Sequence, residues 1–284
     1  MEFSSKGYNS GNYSSARPSY PSEFFDTLRK YHVGGEKLLV DVGCGPGNFT
    51  LDIARNFQFE RVEGADKSPI MIEVAQQKFN AAKMKNLHFS VHAAEDLDWV
   101  QAGTADMITA AQCSHWLDFK AFQESAFRAL SENGTLAIWG YVDPILTDFP
   151  GLDSLLLEFQ YDLHQLGPYW EKPGRDILRD LLQSQIIDDT KFQDVLEVCN
   201  RVRDPEPKAS DHKPLIINRE MSIIEFEQYI ESWSAYNAWK RANQGKSDIR
   251  KSFIHQLKTQ TGLSSQSRIN VAWNTVYKFA RKRT

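Results

Sequence analysis

Residues 38–48 read Leu-Leu-Val-Asp-Val-Gly-Cys-Gly-Pro-Gly-Asn, an apolar run that ends in three alternating glycines. This pattern predicts a buried strand that leads into a glycine loop. Such a loop lets backbone approach a ligand closely, because almost no side chains stand in the way. Asp41 places a carboxylate just before the glycines, which suits a cationic amino-acid group better than a phosphate. The stretch therefore predicts a binding loop at the end of a strand.

Strands alternate with helices on both sides of this loop. The predicted strands are 38–42, 61–66, 87–91, 105–111 and 134–141, with 191–199, an extended piece at 213–221 and a last antiparallel strand at 269–279. The predicted helices are 22–32 (with Ser22 as N-cap), 49–57, 69–83, 118–130, 152–166, 176–185 and 222–241 (with Ser222 as N-cap and Glu225 in a capping box). This alternation predicts an α/β fold with a mainly parallel, Rossmann-like sheet of seven strands and helices on both faces.

The composition divides the chain into four parts. Residues 1–21 are rich in Ser, Gly, Tyr and Pro and predict an arm or lid. Residues 22–141 predict the cofactor-binding core, and 142–191 a helical cap inserted after the fifth strand. Residues 192–284 predict the end of the sheet with a helical extension on the substrate side.

Composition also limits the classes of partner. The net charge of −4 disfavours a nucleic-acid binder, and no apolar run reaches the ~20 residues of a membrane span. The N-terminus lacks the apolar core of a signal peptide, which predicts a cytoplasmic protein. Three widely spaced cysteines predict neither a disulfide framework nor a metal site. The expected assembly is a monomer or a homodimer.

The pattern Asp-x-Gly-x-Gly-x-Gly resembles motif I of the class I S-adenosylmethionine-dependent methyltransferases. Later segments suit that cofactor: Asp66 ends the second strand 25 residues after Asp41 and can accept both ribose hydroxyls. Met71 can lie against the adenine ring, and Glu95 or Asp96 can accept from its amino group. The rival is a dinucleotide enzyme with Gly-x-Gly-x-x-Gly, but here the third glycine comes one residue early.

Five further segments carry a narrower resemblance, to the fungal trans-aconitate 3-methyltransferase family. They are Tyr-Ser-Ser-Ala-Arg-Pro-Ser-Tyr-Pro at 13–21, Ser-His-Trp-Leu-Asp-Phe at 114–119, Ile-Trp-Gly-Tyr-Val-Asp-Pro at 138–144, Gly-Pro-Tyr-Trp-Glu-Lys-Pro-Gly-Arg at 167–175 and Ser-Trp-Ser-Ala-Tyr-Asn-Ala-Trp-Lys at 232–240. This family esterifies one carboxyl of trans-aconitate, so the resemblance implies a small di- or tricarboxylic acid as substrate and S-adenosylhomocysteine as the cofactor product.

The resemblance implies two sets of site residues and no metal. The cofactor set is Tyr13, Arg17, Asp41, Gly43, Cys44, Gly45, Gly47, Asn48, Asp66, Lys67, Met71, Glu95, Asp96 and Gln112. The substrate set is Arg17, Tyr20, His115, Trp116, Tyr141, Trp170, Arg175 and Trp233. Arg17 stands in both sets, because it can pair with a carboxylate of the cofactor or of the substrate.

Methyl transfer from a sulfonium to a carboxylate needs no general base, because the carboxylate is already ionised at neutral pH. The site must instead orient the reactants and exclude water. Fixed cations must hold the carboxylates that do not react, and the candidates are Arg17, Arg175, Lys172, Lys240 and His115. Trp233, Tyr236 and Trp239 recur at helical spacing, which more often indicates core than a ligand wall.

Three functions remain open from sequence. The favoured one is methylation of a small acid; the others are methylation of another small molecule or of tRNA or protein, and cofactor binding without catalysis. A macromolecular substrate predicts a basic open groove, and a non-catalytic protein predicts a damaged motif I.

Overall fold

The computed structural model describes residues 17–82, 84–204 and 212–284. Most of the predicted arm, including Tyr13, lies outside the described residues. Among the described residues, no helix is long and apolar enough to cross a membrane.

One mixed sheet organises the described chain. Its strands are β1 (Leu38–Val42), β2 (Arg61–Asp66), β3 (Leu87–Val91), β4 (Ala105–Ala111), β5 (Leu130–Leu146), β6 (Phe192–Asn200), β7 (Asn218–Ser222) and β8 (Arg268–Lys282). The order is β3-β2-β1-β4-β5-β8-β6, with β7 paired to β8. β1 to β5 pair in parallel, whereas β8 runs antiparallel to β5, β6 and β7. The prediction of a mainly parallel, doubly wound sheet is confirmed.

The predicted number of seven strands is wrong, because the described residues form a sheet of eight. The extra strand is β7, which pairs with the first half of β8 from Asn218 opposite Ala272 to Ser222 opposite Arg268. It falls within the extended piece predicted at 213–221. β8 is long enough, at 15 residues, to pair with β5 along one edge and with β6 and β7 in succession along the other.

Helices cover both faces of the sheet, as predicted. The α-helices are α1 (Ser22–Tyr31), α2 (Asn48–Asn56), α3 (Pro69–Ala82), α4 (Phe119–Ala129), α5 (Asp153–Tyr161), α6 (Gly174–Arg179), α7 (Ile223–Glu231), α8 (Ser234–Ala242) and α9 (Ile249–Thr261). Alternate strand residues enter different cores: Leu39 packs with Phe49 of α2, and its neighbour Val40 packs with Phe122 of α4. This alternation is the period of two that a strand imposes.

Several predicted helices are shorter than their patterns suggested, and α9 was not predicted. The segment 222–241 is two helices, α7 and α8, rather than one. The Ser232 hydroxyl donates to the Tyr229 carbonyl at 2.6 Å and competes with the helical ladder, after which Trp233 is extended at ψ 136°. At the start of α7 the predicted capping box of Ser222 and Glu225 is present. At the start of α1, Pro21 rather than Ser22 is the N-cap.

β5 extends to Leu146, five residues beyond its predicted end, into the predicted cap. Its pairing with β8 shifts register between Val142 and Pro144, and Asp143 between them has φ 50°. Such a bulge bends a strand and re-aims a side chain. The helices α5 to α8 that follow cover the carboxyl edge of the parallel strands, where the open α/β fold places ligands.

Candidate active site

A cleft of about 1220 Å³, counting the part open to solvent, lies at the carboxyl edge of β1, β2, β4 and β5. One end is formed by the glycine loop and the segments after β2 and β3. The other end is formed by β5 and the helices α5 to α8. Its lining includes Arg17, Gly43, Gly45, Asp66, Lys67, Met71, Glu95, Gln112, His115, Trp116, Tyr141, Asp143, Gln160, Trp170, Arg175, Tyr229, Trp233 and Ser234.

The glycine loop has left-handed backbone at each of its three glycines, with φ of 60° at Gly43, 54° at Gly45 and 75° at Gly47. A Cβ on Gly43 would lie 2.7 Å from the Cβ of Cys113, and one on Gly47 would lie 2.8 Å from the Phe89 ring. A Cβ on Gly45 would meet no atom within 4 Å. Gly45 thus presents bare backbone to open space in the cleft, which is how a loop of this kind admits a ligand.

Asp66 connects this loop to the end of β2. Its carboxylate accepts from the backbone N–H of Gly45 at 2.9 Å and from that of Ser68 at 2.8 Å. These two hydrogen bonds fix the Asp66 carboxylate at the mouth of the cleft. A carboxylate has about four acceptor positions, so two remain for hydroxyl donors of a ligand.

Asp41 lies beneath the loop rather than on the cleft. Its two oxygens accept from the hydroxyls of Thr50 at 2.6 Å and Thr109 at 2.7 Å, and the residue is 1% exposed. Burial raises the pKa of this carboxyl to about 7, against the lowering effect of the two hydroxyls and with a further rise from Asp66. The structure therefore gives Asp41 a role in fixing the loop to β4 and α2, and does not bring its side chain to the cleft.

Gln112 has φ 57° at the end of β4, and its side chain is tied to the neighbouring strand. Its amide nitrogen donates to the Tyr141 carbonyl at 2.8 Å, and its Oε1 accepts from the Tyr141 N–H at 2.7 Å. The amide continues the β4–β5 ladder by one step and leaves the rest of the side chain in the wall of the cleft.

The side of the cleft near β3 carries the residues predicted for an adenine. Met71 is 3% exposed and Glu95 accepts from the Asp118 N–H at 3.2 Å; both line the cleft, as does the exposed Lys67. Asp96 is exposed and does not line it, because its carboxylate turns back to the Asp98 N–H at 3.0 Å.

Four more predicted residues stand away from the cleft. Tyr20 packs among aromatic rings, with its centroid 5.8 Å from that of Trp139. Asn48 accepts from Lys78 Nζ at the start of α2, and Gly47 lies against Phe89. Cys44 follows Gly43 but does not line the cleft, and burial raises the pKa of its thiol.

Asp143 organises the cap side. Its carboxylate accepts from Arg175 at 2.9 Å, from Arg179 at 3.4 Å and from the Tyr161 hydroxyl. The bulge in β5 turns this carboxylate toward α5 and α6, where those three side chains originate. Two guanidinium groups around one carboxylate leave the cluster with a net positive charge at this wall.

Arg175 lies flat on an aromatic wall. Its Cζ is 3.9 Å from a ring centroid of Trp170, whose indole N–H donates to the Gln160 carbonyl at 2.6 Å. Gln160 Oε1 also accepts from Arg175 at 3.5 Å. An arginine held by a carboxylate, an amide and a stacked ring has little freedom to move, so its outer face is a fixed cation toward the cleft.

His115 is neutral, so the prediction that it is a fixed cation is wrong. It is 6% exposed, and burial together with the charge of Arg175 lowers its pKa to about 3. No hydrogen bond joins its ring to another group within the described residues. The neighbouring Trp116 ring lies 4.6 Å away and also lines the cleft.

The two predicted lysines are not part of the cleft. Lys172 is 70% exposed and pairs with Asp176 at 3.5 Å, and Lys240 is exposed on α8. Tyr236 and Trp239 are buried in the core, with the Tyr236 hydroxyl 2.9 Å from Asp248, as the helical spacing favoured. Trp233 of the same series does line the cleft, because the break between α7 and α8 turns it there.

The predicted sets of site residues omit five polar lining residues: Ser68, Asp143, Gln160, Tyr229 and Ser234. Asp143 and Ser234 lie inside segments 138–144 and 232–240, which carry the narrower family resemblance, so that resemblance could have identified them. Gln160 and Tyr229 face the cleft only because of how α5 and α7 pack, and the local sequence carries no signal for that.

Residues 39–134 match the methyltransferase domain family. A Saccharomyces cerevisiae protein described as an S-adenosylmethionine-dependent methyltransferase, CRG1, is 28% identical over 286 residues, covering 98% of this chain and 97% of that protein. A Dictyostelium discoideum methyltransferase is 28% identical over 93% of this chain and 90% of its own length.

One further similarity in sequence covers part of the chain, and one similarity in structure covers nearly all of it. A trans-aconitate 2-methyltransferase of Methylobacterium radiotolerans is 32% identical over 114 residues, which cover 40% of this chain and 41% of that enzyme. The solved structure of a protein from Anaeromyxobacter dehalogenans, described as a type II methyltransferase, superposes with a TM-score of 0.69 at 23% identity. It covers 93% of this chain and 97% of that one, and it supports the fold.

The fold and the cleft define a group-transfer enzyme with a cofactor site at the carboxyl edge of a doubly wound sheet. The described chain has the Rossmann-like α/β fold of the class I S-adenosylmethionine-dependent methyltransferases, and its residues 39–134 match the methyltransferase domain family. Its cofactor end fits S-adenosylmethionine: Gly45 leaves open backbone, Asp66 retains acceptor positions, and Met71 and Glu95 stand along the same wall.

Proposed function

We propose that this methyltransferase esterifies a carboxylate of a small di- or tricarboxylic acid, with trans-aconitate as the first candidate. The observation that carries the proposal is the separation of charge along the cleft. Asp66 and Glu95 outnumber Lys67 at the cofactor end, whereas Arg17 and Arg175 outnumber Asp143 at the cap end. A substrate with several carboxylates matches the cap end in sign and in the fork geometry that arginine offers.

The state of His115 and Asp143, two titratable groups that line the described part of the cleft, also favours a carboxylate nucleophile. His115, with a pKa of about 3, stays neutral and is a poor proton acceptor at neutral pH. Asp143 is engaged with Arg175, Arg179 and Tyr161. A hydroxyl or ammonium substrate would need a group to take its proton, whereas a carboxylate has already lost it.

S-adenosylmethionine supplies a methyl group on a positively charged sulfur. The protein's own groups orient the acid and keep water out. Arg17 and Arg175 hold carboxylates that do not react, and Trp116, Trp170 and Trp233 line the cleft with apolar surface. Opposite charges are neutralised as the new bond forms, so a dry wall favours that step over the solvated reactants.

The test is a set of kcat/KM values for trans-aconitate, cis-aconitate, itaconate, isopropylmalate and a long-chain acid. We expect the polycarboxylic acids to be preferred, and Arg175→Met to lower their kcat/KM by about tenfold or more, since it keeps the packing on Trp170 but removes the charge. Arg268→Met is the matched control, because Arg268 is 52% exposed and lies on β8.

Cofactor binding without turnover of any acid would overturn the proposal. The same preparation would then be assayed on other small molecules and on tRNA and protein, the substrate classes that sequence left open. The Methylobacterium likeness supports trans-aconitate as the starting point, because it includes an enzyme with that substrate in its name.

A further inference from the structure

The junction between α7 and α8 carries a group of donors that the sequence did not single out. α7 ends at Glu231 and α8 begins at Ser234, and Ser234 and Tyr229 line the cleft on either side of the junction. Arg17 reaches the same place: its Nη2 donates to the Ser232 carbonyl at 2.9 Å. Its Cζ lies 5.7 Å from the centroid of the Tyr229 ring.

The N-terminus of α8 is open toward this group. The N-cap residue is Trp233, whose side chain makes no capping hydrogen bond. The first N–H groups of a helix have no partner within the helix and carry its positive dipole end, which favours an anion. In a helix of nine residues this end is well formed.

Ser234 provides an independent indication of a ligand. The residue is 7% exposed and its side chain lies at the cleft, yet its hydroxyl has no hydrogen-bond partner in the parts of the chain that the structure describes. A hydroxyl that makes no hydrogen bond within the protein is satisfied by a ligand or by water from the cleft. Its position at the first residue of α8 places it beside the open N–H groups.

Tyr229 offers a directed donor. It is 3% exposed, and its hydroxyl oxygen accepts from the Trp273 indole N–H at 2.8 Å. Within the described residues no acceptor for its own proton is present, so that proton is left for a group in the cleft. Burial raises the pKa of Tyr229, while the nearby charges of Arg17 and Arg175 lower it, so the hydroxyl lies within the field of both guanidinium groups.

We propose that Tyr229, Ser234 and the N-terminus of α8, with Arg17 beside them, form a subsite for a carboxylate of the substrate that is not methylated. The subsite selects di- and tricarboxylic acids over monocarboxylic acids. This inference rests on the proposed function, since it assigns the second carboxylate of that substrate class. Tyr229 and Ser234 are thereby specificity-determining residues that contact the substrate away from the reacting atoms.

The experiment compares Tyr229→Phe and Ser234→Ala with the unchanged protein on trans-aconitate, itaconate and crotonate, which carry three, two and one carboxyl groups. We expect each variant to raise KM for trans-aconitate and itaconate about tenfold, since each removes a hydrogen bond to a charged group. For crotonate we expect kcat/KM to change by less than about twofold, and the Kd of S-adenosylhomocysteine to stay the same.

The matched control is Tyr277→Phe, since the Tyr277 hydroxyl donates to the Lys213 carbonyl at 2.8 Å and does not line the cleft. If Tyr229→Phe fails to fold because the Trp273 indole loses its acceptor, Ser234→Ala decides the matter alone. Equal losses for all three acids, or no loss for any, would overturn the subsite while leaving the proposed function in place.

Calorimetry separates the two proposals. The acids are titrated into the protein loaded with S-adenosylhomocysteine, which needs no turnover. If trans-aconitate binds about tenfold more weakly to the variants although no acid is methylated, the subsite stands and the proposed function fails. If the unchanged protein neither binds nor methylates any polycarboxylic acid, both fail.

Discussion

The side-chain amide of Gln112 pairs with both backbone groups of Tyr141, at 2.8 Å to its carbonyl oxygen and 2.7 Å from its N–H. The amide thus acts as one more residue of β4 opposite β5. Gln112 can do so because its own backbone turns to φ 57° and folds the side chain back onto the next strand. The wall between the cofactor end and the cap end of the cleft depends on this pair.

Gln112→Glu should weaken that wall. The substitution keeps the shape but places a carboxylate oxygen against the Tyr141 carbonyl, where the amide N–H now donates. We expect the free energy of unfolding in urea to fall by about 1–3 kcal/mol and kcat/KM to fall with it. Gln101→Glu is the control, because Gln101 is exposed before β4. Equal unfolding midpoints for the two variants would contradict the pairing.

Gly174→Ala should disturb the cleft through Trp116. A Cβ at Gly174, the first residue of α6, would lie 2.3 Å from the Trp116 ring, so the ring must move. We expect a loss of about 1–3 kcal/mol in the free energy of unfolding and a lower kcat/KM.

Gly151→Ala is the matched control for this substitution, since a Cβ at Gly151 meets no atom within 4 Å. It should leave the free energy of unfolding nearly unchanged. Two variants of equal stability and activity would show that Trp116 is not held by this contact. Thermal unfolding measures the stability of the two variants, and kcat/KM on trans-aconitate measures their activity.

Asp41 should make stability fall as pH rises. Its pKa is about 7 in the folded protein and about 4 in an unfolded chain, so the folded state alone keeps the proton between those values. The resulting stabilisation is complete below about pH 4 and is lost as pH rises to about 7. The free energy of unfolding relative to Asp41→Asn should therefore fall by up to about 1.4 kcal/mol per pH unit in that window. A pH-independent difference in urea unfolding would contradict the raised pKa.

His115 should make the stability of the protein fall as pH is lowered. Its pKa is about 3 in the folded protein and about 6.5 in an unfolded chain, so its stabilising contribution is present above about pH 6.5 and is lost as pH falls toward 3. In NMR spectra the His115 ring signals should not titrate between pH 5 and 8. A His115 titration near pH 6.5 would contradict the buried neutral state.

The order of elements from β1 to β5 could be predicted from sequence because each strand is an apolar run closed by turn residues. The glycine loop could be predicted for the same reason. The site at the cap end could be predicted only in part. Arg175 and Trp170 lie in a segment with a strong family resemblance, whereas Tyr229 reaches the cleft only through the packing of α7 against β8.

Two differences from the sequence predictions have the same physical origin: contacts made in the folded chain override a local pattern. The helix predicted over 222–241 has continuous apolar spacing, but the Ser232 hydroxyl takes the Tyr229 carbonyl and ends α7. The Asp41 carboxylate precedes the glycines as a ligand-binding acid would, but it is buried beneath the loop, where it accepts from Thr50 and Thr109. Neither partner can be assigned from spacing along the chain.

The central claim is tested most directly by the chemical form of the transferred methyl group. The protein is incubated with S-adenosylmethionine labelled in its methyl group and with trans-aconitate, and the product is treated with mild alkali. An ester releases its label as volatile methanol, whereas a methyl group on nitrogen, carbon or an ether oxygen stays in place. We predict transfer of label to the acid and its release by alkali. Alkali-stable label, or cofactor binding with no transfer to any carboxylic acid, would contradict the account.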